Sequence, residues 1–199
     1  MFKYKMPVFS KYTIKKLIEK GYLKITPNLK PNQFQPHSID LRLGYDFYIP
    51  KLWVLTSSGR KIVNVDMSKP ADNFVHVKLK KGQYFEIAPG EFIIGVTLEK
   101  VAFNRADYMA VLYPRSSINR RGLSVDLTGI IDSGYKGRLF VPIRNQTSNQ
   151  IIRVMPEERF VTIVLYSLDK ELDIKDVRQH GVKPPKYQDA DGFTPYKPD

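Results

Sequence analysis

The sequence predicts a mainly β protein with one short helix near its start, and three observations carry that prediction. From about residue 23 onward, short runs rich in Val, Ile, Phe and Tyr alternate with Pro, Gly and Asn, the punctuation of strands and turns. Between these runs there is no helical period long enough for strand-helix-strand crossovers, so a sandwich, barrel or jelly roll is expected rather than a doubly wound parallel sheet. With 199 residues and 42% hydrophobic content the chain can bury one sizeable core, and a single domain over 1–199 is expected.

The helix comes first. Ser10 is suited to cap it, Ile14, Leu17 and Ile18 recur at helical spacing, and Gly21 can take the left-handed conformation that ends it, which places the helix at about 10–20. Strands are expected at 38–43, 45–50, 74–79, 83–87, 91–98, 109–113, 123–127, 138–144, 150–154 and 160–166. Ser57–Gly59, followed by Arg60 and Lys61, reads as a surface hairpin turn. Two proline-fixed turns, at Ala88-Pro89-Gly90 and Met155-Pro156-Glu157, each join apolar strand ends and suit matching hairpins in a folded-over sheet. From about 169 to 199 the chain turns polar. That tail reads either as a disordered terminus or, because Tyr187, Phe193 and Tyr196 lie near Gly192, as a mobile lid whose rings stack on a base.

Composition excludes several chemistries. The chain has no cysteine, so disulfides, thiolate nucleophiles and iron-sulfur clusters are ruled out. His37, His76 and His180 are scattered, and a zinc deaminase site of the His/Cys/Cys kind cannot be written onto the sequence. No apolar run approaches the roughly 18 residues of a membrane helix, and the start MFKYKMPVFSKYTIKK lacks a secretory apolar core, so a soluble cytoplasmic protein is expected. The net charge of +12 suits either nucleic acid or a pocket for several phosphates; dispersal of the lysines argues against nucleic acid as the main ligand.

Three segments could carry chemistry. In Tyr113–Gly122 a strand end is followed by Arg115, Ser116, Ser117, Arg120 and Arg121, whose hydroxyls and guanidinium forks suit phosphate oxygens; a capped turn with solvated arginines is the other reading. In Leu127–Gly137, Asp132 follows two apolar residues and precedes Gly134 and Gly137, so its carboxylate either activates a water or organises its own turn. In Gln35–Gly44, Ile39, Leu41 and Leu43 alternate with Ser38, Asp40 and Arg42, a half-buried strand that reads either as a site or as an edge strand with an ion pair.

Together and in order, these segments resemble the dCTP deaminase and dUTPase superfamily. The resemblance runs through Gln35–Gly44, the strand Pro89–Glu99, the phosphate motif Pro114–Ser117, the turn Gly129–Gly137 and the tail Lys186–Pro195. It implies a homotrimer of distorted jelly-roll subunits with active sites at the interfaces and Mg²⁺ on the triphosphate. Arg115, Ser116 and Ser117 would then contact the phosphates, Arg120 would also bind the substrate, and Asp132 would activate or position the water. Tyr135 would pack on the deoxyribose, Gly129 and Ile131 would line the substrate, Phe193 would cover the pyrimidine, and Lys186 or Lys197 would supply tail charge. No residue is expected to bind the metal directly, with Asp40 a candidate through water.

Deaminases of the superfamily carry a glutamate proton shuttle on the strand after that turn, and its place falls here on Pro142. Proline cannot transfer a proton, and general acid-base help at the base is worth about 10²–10⁴ in rate. Attack on the α-phosphorus needs no such group, so the expected activity is dUTP hydrolysis to dUMP and pyrophosphate. The alternatives are dCTP deaminase or the bifunctional deaminase-diphosphatase, with Glu157 or Glu158 reaching the base, and a non-catalytic nucleotide or nucleic-acid binder. Arg120, the N-terminal helix and the tail lean toward the deaminases. The dUTPase segment RIAQ reads Arg159-Phe160-Val161-Thr162 and loses its glutamine, so the phosphate site is expected to differ.

Overall fold

The computed structural model describes residues 7–65, 73–125 and 129–177. Helix α1 (Lys11–Glu19) starts where Ser10 accepts a hydrogen bond from the Thr13 amide and ends before Gly21. It covers one end of the core through Ile14, with Leu17 and Ile18 packed beside it. The strands follow as β1 (Leu23–Thr26), β2 (Ile39–Pro50), β3 (Trp53–Thr56), β4 (Gly59–Ile62), β5 (Phe74–Lys78), β6 (Phe85–Ile87) and β7 (Phe92–Phe103). After β8 (Tyr108–Pro114) come the single turn α2 (Ser116–Asn119), β9 (Leu123–Val125), β10 (Gly129–Ile131), β11 (Lys136–Asn145), β12 (Ile152–Val154), β13 (Arg159–Ser167) and α3 (Ile174–Val177).

One sheet dominates, in the order β10-β8-β13-β2-β7-β11-β9, with β1 also on β7 and β5 on β2. It curls into an open half-barrel, the distorted jelly roll that the resemblance implied. The curl turns on β2, which the sequence divided into two strands. The first half of β2 pairs with β13 (Ile39↔Ile163, Asp40↔Thr162), and the second half pairs with β7 (Tyr48↔Ile94) and β5 (Tyr48↔His76). Gly44 sits at the changeover, where a β-carbon would stand 2.7 Å from the Val96 carbonyl oxygen. Only glycine lets the two backbones approach so closely.

The concave face holds the core, with Ile39, Leu41, Leu43, Phe47, Ile93, Phe103, Tyr108, Ile143, Phe160 and Ile163 buried in one cluster. Tyr108 closes it by donating its hydroxyl to the Tyr22 carbonyl at 2.6 Å, and burial pushes that hydroxyl's pKa well up. The other face of the sheet carries a second, smaller apolar cluster of Tyr48, Ile94 and Val96 with Phe74, Phe92 and Phe140. Strands β3 and β4 form a separate exposed hairpin around the expected Ser57–Gly59 turn. The two proline turns do not close the matching hairpins expected of them: β6 pairs with β12 in a small sheet of its own, while β7 and β13 belong to the main sheet.

Two expectations about β2 change. It is an interior strand, so its Ser38-Asp40-Arg42 face is no solvated edge. All three residues are buried, because the loop carrying the 3-10 turn Pro31–Gln33 lies over them. Strands β1 and β10, absent from the sequence reading, are short additions to longer strands. The described chain holds no helix long and apolar enough to cross a membrane.

Candidate functional site

Arg42 is buried beneath that loop and meets Glu99 at 2.7 Å through its Nε, while its own amide donates to the other carboxylate oxygen at 2.7 Å. Gln33 donates its side-chain amide both to Glu99 (2.9 Å) and to the Asp40 carbonyl (2.8 Å), so the loop is stitched to β2 and β7 by groups with no access to water. Next to it the Asp40 carboxylate accepts from Arg115 Nε at 3.1 Å, from Arg159 at 3.2 Å and from Gln35 at 3.2 Å. Arg115 also donates to the Arg159 carbonyl at 2.9 Å.

Arg115 therefore leaves the end of β8 already fixed in direction. Ser116 is exposed and Ser117 half-buried on the turn that follows, which the buried Ile118 pins to the core. Arg120 ends that turn in solvent. Rigid guanidinium with adjacent hydroxyls is a donor set suited to phosphate oxygens.

The second cluster is the turn after β10. Ile131 is buried, Asp132 is exposed, and the Tyr135 amide donates to the Asp132 carbonyl at 3.1 Å. Ser133 anchors the turn by donating its hydroxyl to the Tyr108 carbonyl at 2.7 Å, and Tyr135 donates its own to the Arg138 carbonyl at 2.8 Å. Because the Ile131 side chain lies in the core, only its backbone could face a ligand. Gly129 packs flat on Leu112, where a β-carbon would stand 2.8 Å from the leucine Cβ, so local packing already requires glycine there.

Within one chain these clusters stay apart. Ile131 pairs with Ala110, five residues from Arg115 along β8, or roughly 17 Å at the rise of a strand. Lys186, Lys197 and Phe193 lie outside the described residues.

Pro142 occupies the middle of β11 opposite Ile94, in a cross-strand row that continues through Tyr48 to His76. That row contains no carboxylate. The nearest acid on the same face, one row away, is Asp46, held by His76 at 2.9 Å and Arg138 at 3.3 Å. Glu157 does not reach it within the chain. Its amide donates to the Leu43 carbonyl, and its carboxylate takes the Tyr45 hydroxyl at 2.8 Å. That hydrogen bond, with Lys30 and Arg42 nearby, holds Glu157 below the usual carboxylate range. The Glu158 carbonyl is likewise tied to the Leu43 amide, five residues from Tyr48 along β2.

The metal expectation also meets the geometry. Asp40 is an arginine partner with its side chain only 4% exposed, which does not fit a metal ligand acting through water. Among the described residues no three acidic or histidine side chains gather to hold a cation.

A family model described as dCTP deaminase-like matches residues 8–168. The chain belongs to the dCTP deaminase-like family. Its relatives include the "dCTP deaminase, dUMP-forming" of Dictyoglomus thermophilum, 31% identical over 179 residues and 88% of either chain. The protein of the same description from Dictyoglomus turgidum is 31% identical over 193 residues, covering 96% of this chain and 94% of its own. Among solved structures, the 2′-deoxycytidine 5′-triphosphate deaminase of Agrobacterium tumefaciens superposes with a TM-score of 0.61 at 24% identity, over 81% of this chain and 48% of that one, and supports the fold.

These family relatives overturn the expectation of a dUTP diphosphatase with dUTP as its ligand. That expectation rested on Asp132 and Tyr135 being present with Pro142 in the shuttle's place, and matches running nearly end to end with dUMP-forming deaminases weigh more than those few positions. Sequence reasoning also missed that Gln33, Glu99 and Arg159 join the network around Arg42, Asp40 and Arg115. The available signal was the acidic Glu99 at an inward position of a strand, followed inward by the apolar Val101 and Phe103.

Proposed function

We propose that this chain converts dCTP to dUMP, with release of ammonia and pyrophosphate, in a cytoplasmic assembly of three copies. The observation that carries the reading is the match at 31% identity to dUMP-forming dCTP deaminases over 88–96% of the chain. The separated clusters on β8 support sites shared between copies, with Arg115, Ser116, Ser117 and Arg120 of one chain completed by Asp132 and Tyr135 of another.

In this reading the arginines and serines hold the triphosphate, and the exposed Asp132 carboxylate orients and deprotonates water. Tyr135, its ring packed against the core, presents a wall to the deoxyribose, and Gly129 and Ile131 contribute backbone groups. The tail residues Lys186 and Phe193 cover the nucleotide. Mg²⁺ comes on the triphosphate, where it neutralises phosphate charge. Nucleic acid has no part in the reading.

Pro142 favours one second reading, a nucleotide-binding relative that keeps the pocket without turning over. A product assay with Mg²⁺, offering dCTP and dUTP separately and following ammonia, pyrophosphate and dUMP, decides. Ammonia and dUMP from dCTP support the proposal; dCTP bound but unchanged supports the second reading. Release of pyrophosphate from dUTP with dCTP untouched sinks both.

A further inference from the structure

We infer that Arg159 is a second phosphate-binding arginine, locked beside Arg115 by the buried Asp40 carboxylate, and that the pair forms a clamp for a triphosphate. The inference deepens the nucleotide reading above and rests on it for the identity of the ligand.

Three donors converge on a single oxygen, Asp40 Oδ2: Arg115 Nε at 3.1 Å, Arg159 at 3.2 Å and Gln35 at 3.2 Å. A structural ion pair needs one arginine for one carboxylate. Here two arginines share one, which leaves a full positive charge uncompensated among the described residues, in a partly desolvated place. The neighbouring pair makes the contrast, since Arg42 meets Glu99 and also has Glu157 at 3.5 Å. Excess charge of this kind is held at a cost, and an anion from outside would offset it.

The donors left over are placed for that anion. Arg115 commits its Nε to Asp40 and its NH1 to the Arg159 carbonyl, leaving NH2 without a partner among the described residues. Among the described residues Arg159 commits only NH1, to Asp40 and to the Asn32 carbonyl at 2.6 Å, leaving Nε and NH2. Their side chains are 26% and 32% exposed, so a ligand can reach both. Because Pro114 pairs with Val161, the two arginines leave adjacent strands side by side, and Ser116 and Ser117 follow directly. Two guanidiniums held by a carboxylate and a backbone carbonyl bind without first losing side-chain freedom. A single phosphate needs one fork; two forks plus two hydroxyls suit a chain of phosphates.

The test is calorimetric titration of the full chain with sodium tripolyphosphate and, separately, with dCTP. Arg159→Ala is expected to weaken both by about ten- to hundredfold, the range of a charge-assisted hydrogen-bond pair, with an unchanged circular dichroism spectrum. Unchanged affinity for both overturns the clamp, as does a wild-type chain that does not bind tripolyphosphate. A loss for dCTP alone overturns it by assigning Arg159 to the nucleoside, and a loss for tripolyphosphate alone overturns the nucleotide as its ligand. Should the alanine variant not fold, Arg159→Lys keeps charge and stem without the fork and still weakens tripolyphosphate measurably; wild-type affinity in it overturns the clamp. A wild-type chain that binds tripolyphosphate yet releases no ammonia from dCTP leaves the clamp standing and removes the deaminase reading.

Discussion

Replacing Glu99 by glutamine alters one oxygen and should cost the fold several kcal/mol. Glu99 is fully buried, and its two oxygens accept from the Arg42 amide, from Arg42 Nε and from Gln33. An amide in the same volume keeps one acceptor and turns a donor toward the other site. With its NH2 on the Arg42 amide, donor faces donor; flipped, it faces the guanidinium and Gln33. In either pose Arg42, 6% exposed, retains only Glu157 at 3.5 Å to balance its charge. Breaking a buried pair from one side costs about 3–5 kcal/mol. At about 2–4 °C per kcal/mol for a chain this long, Glu99→Gln should melt roughly 6–20 °C below the wild type. Differential scanning calorimetry at neutral pH reads this directly. The companion variant Arg42→Met with Glu99→Leu should recover most of the loss, because it removes both charges instead of stranding one. A Glu99→Gln midpoint within about 2 °C of wild type would refute the account of this network as a buried, charge-balanced unit.

Tyr45→Phe removes the hydroxyl that depresses Glu157, so the carboxyl titration followed by NMR should move up toward the ordinary 4.5. Since the folded-state value lies below the unfolded one, the stabilisation from Glu157 is present above about pH 4.5 and is lost as the pH falls through the depressed value; Tyr45→Phe should flatten acid stability in that window, and an unmoved titration would assign the shift elsewhere. Gly44→Ala sets a β-carbon 2.7 Å from the Val96 oxygen and 3.1 Å from the Thr97 oxygen, and should lower stability by about 1–3 kcal/mol in a urea melt; an unchanged midpoint would show that β2 and β7 separate freely. Asp132→Asn should lower dUMP formation from dCTP by about a hundredfold or more while KM changes little, and full turnover would remove Asp132 from the chemistry.

How much of this was legible in the sequence depended on the reach of each interaction. Helix α1 was readable because Ser10, Ile14 and Gly21 act within a few turns of one another. The strands were readable from their alternation, but the run from Ile39 to Pro50 looked like two strands because Gly44 breaks the pattern. What Gly44 does, letting β7 come close at the changeover, involves Val96, distant in the chain. The polar face of β2 suffered the same way. Asp40 and Arg42 look solvated beside their sequence neighbours, while their partners Arg115, Arg159 and Glu99 come from three other strand regions. Arg115, Ser116, Ser117 and Asp132 stood out as local motifs, yet their separation along β8 depended on the register of β10, a strand too short to be seen. Pro142 is a single position, and the loss of one ionisable group there does not identify the reaction, whereas kinship is spread over most of the chain.

The placement of Arg115 and Asp132 at opposite ends of β8 has a genetic consequence. Under the proposed roles each chain carries two half-sites and no whole one, so damage to either half need not be inherited by every site of a mixed assembly. Arg115→Ala and Asp132→Asn chains, inert when purified apart, should regain part of their turnover when unfolded and refolded together, since some junctions then join one chain's intact arginine loop to another's intact aspartate turn. Activity per chain should likewise fall on dilution, as copies part company before any of them unfolds.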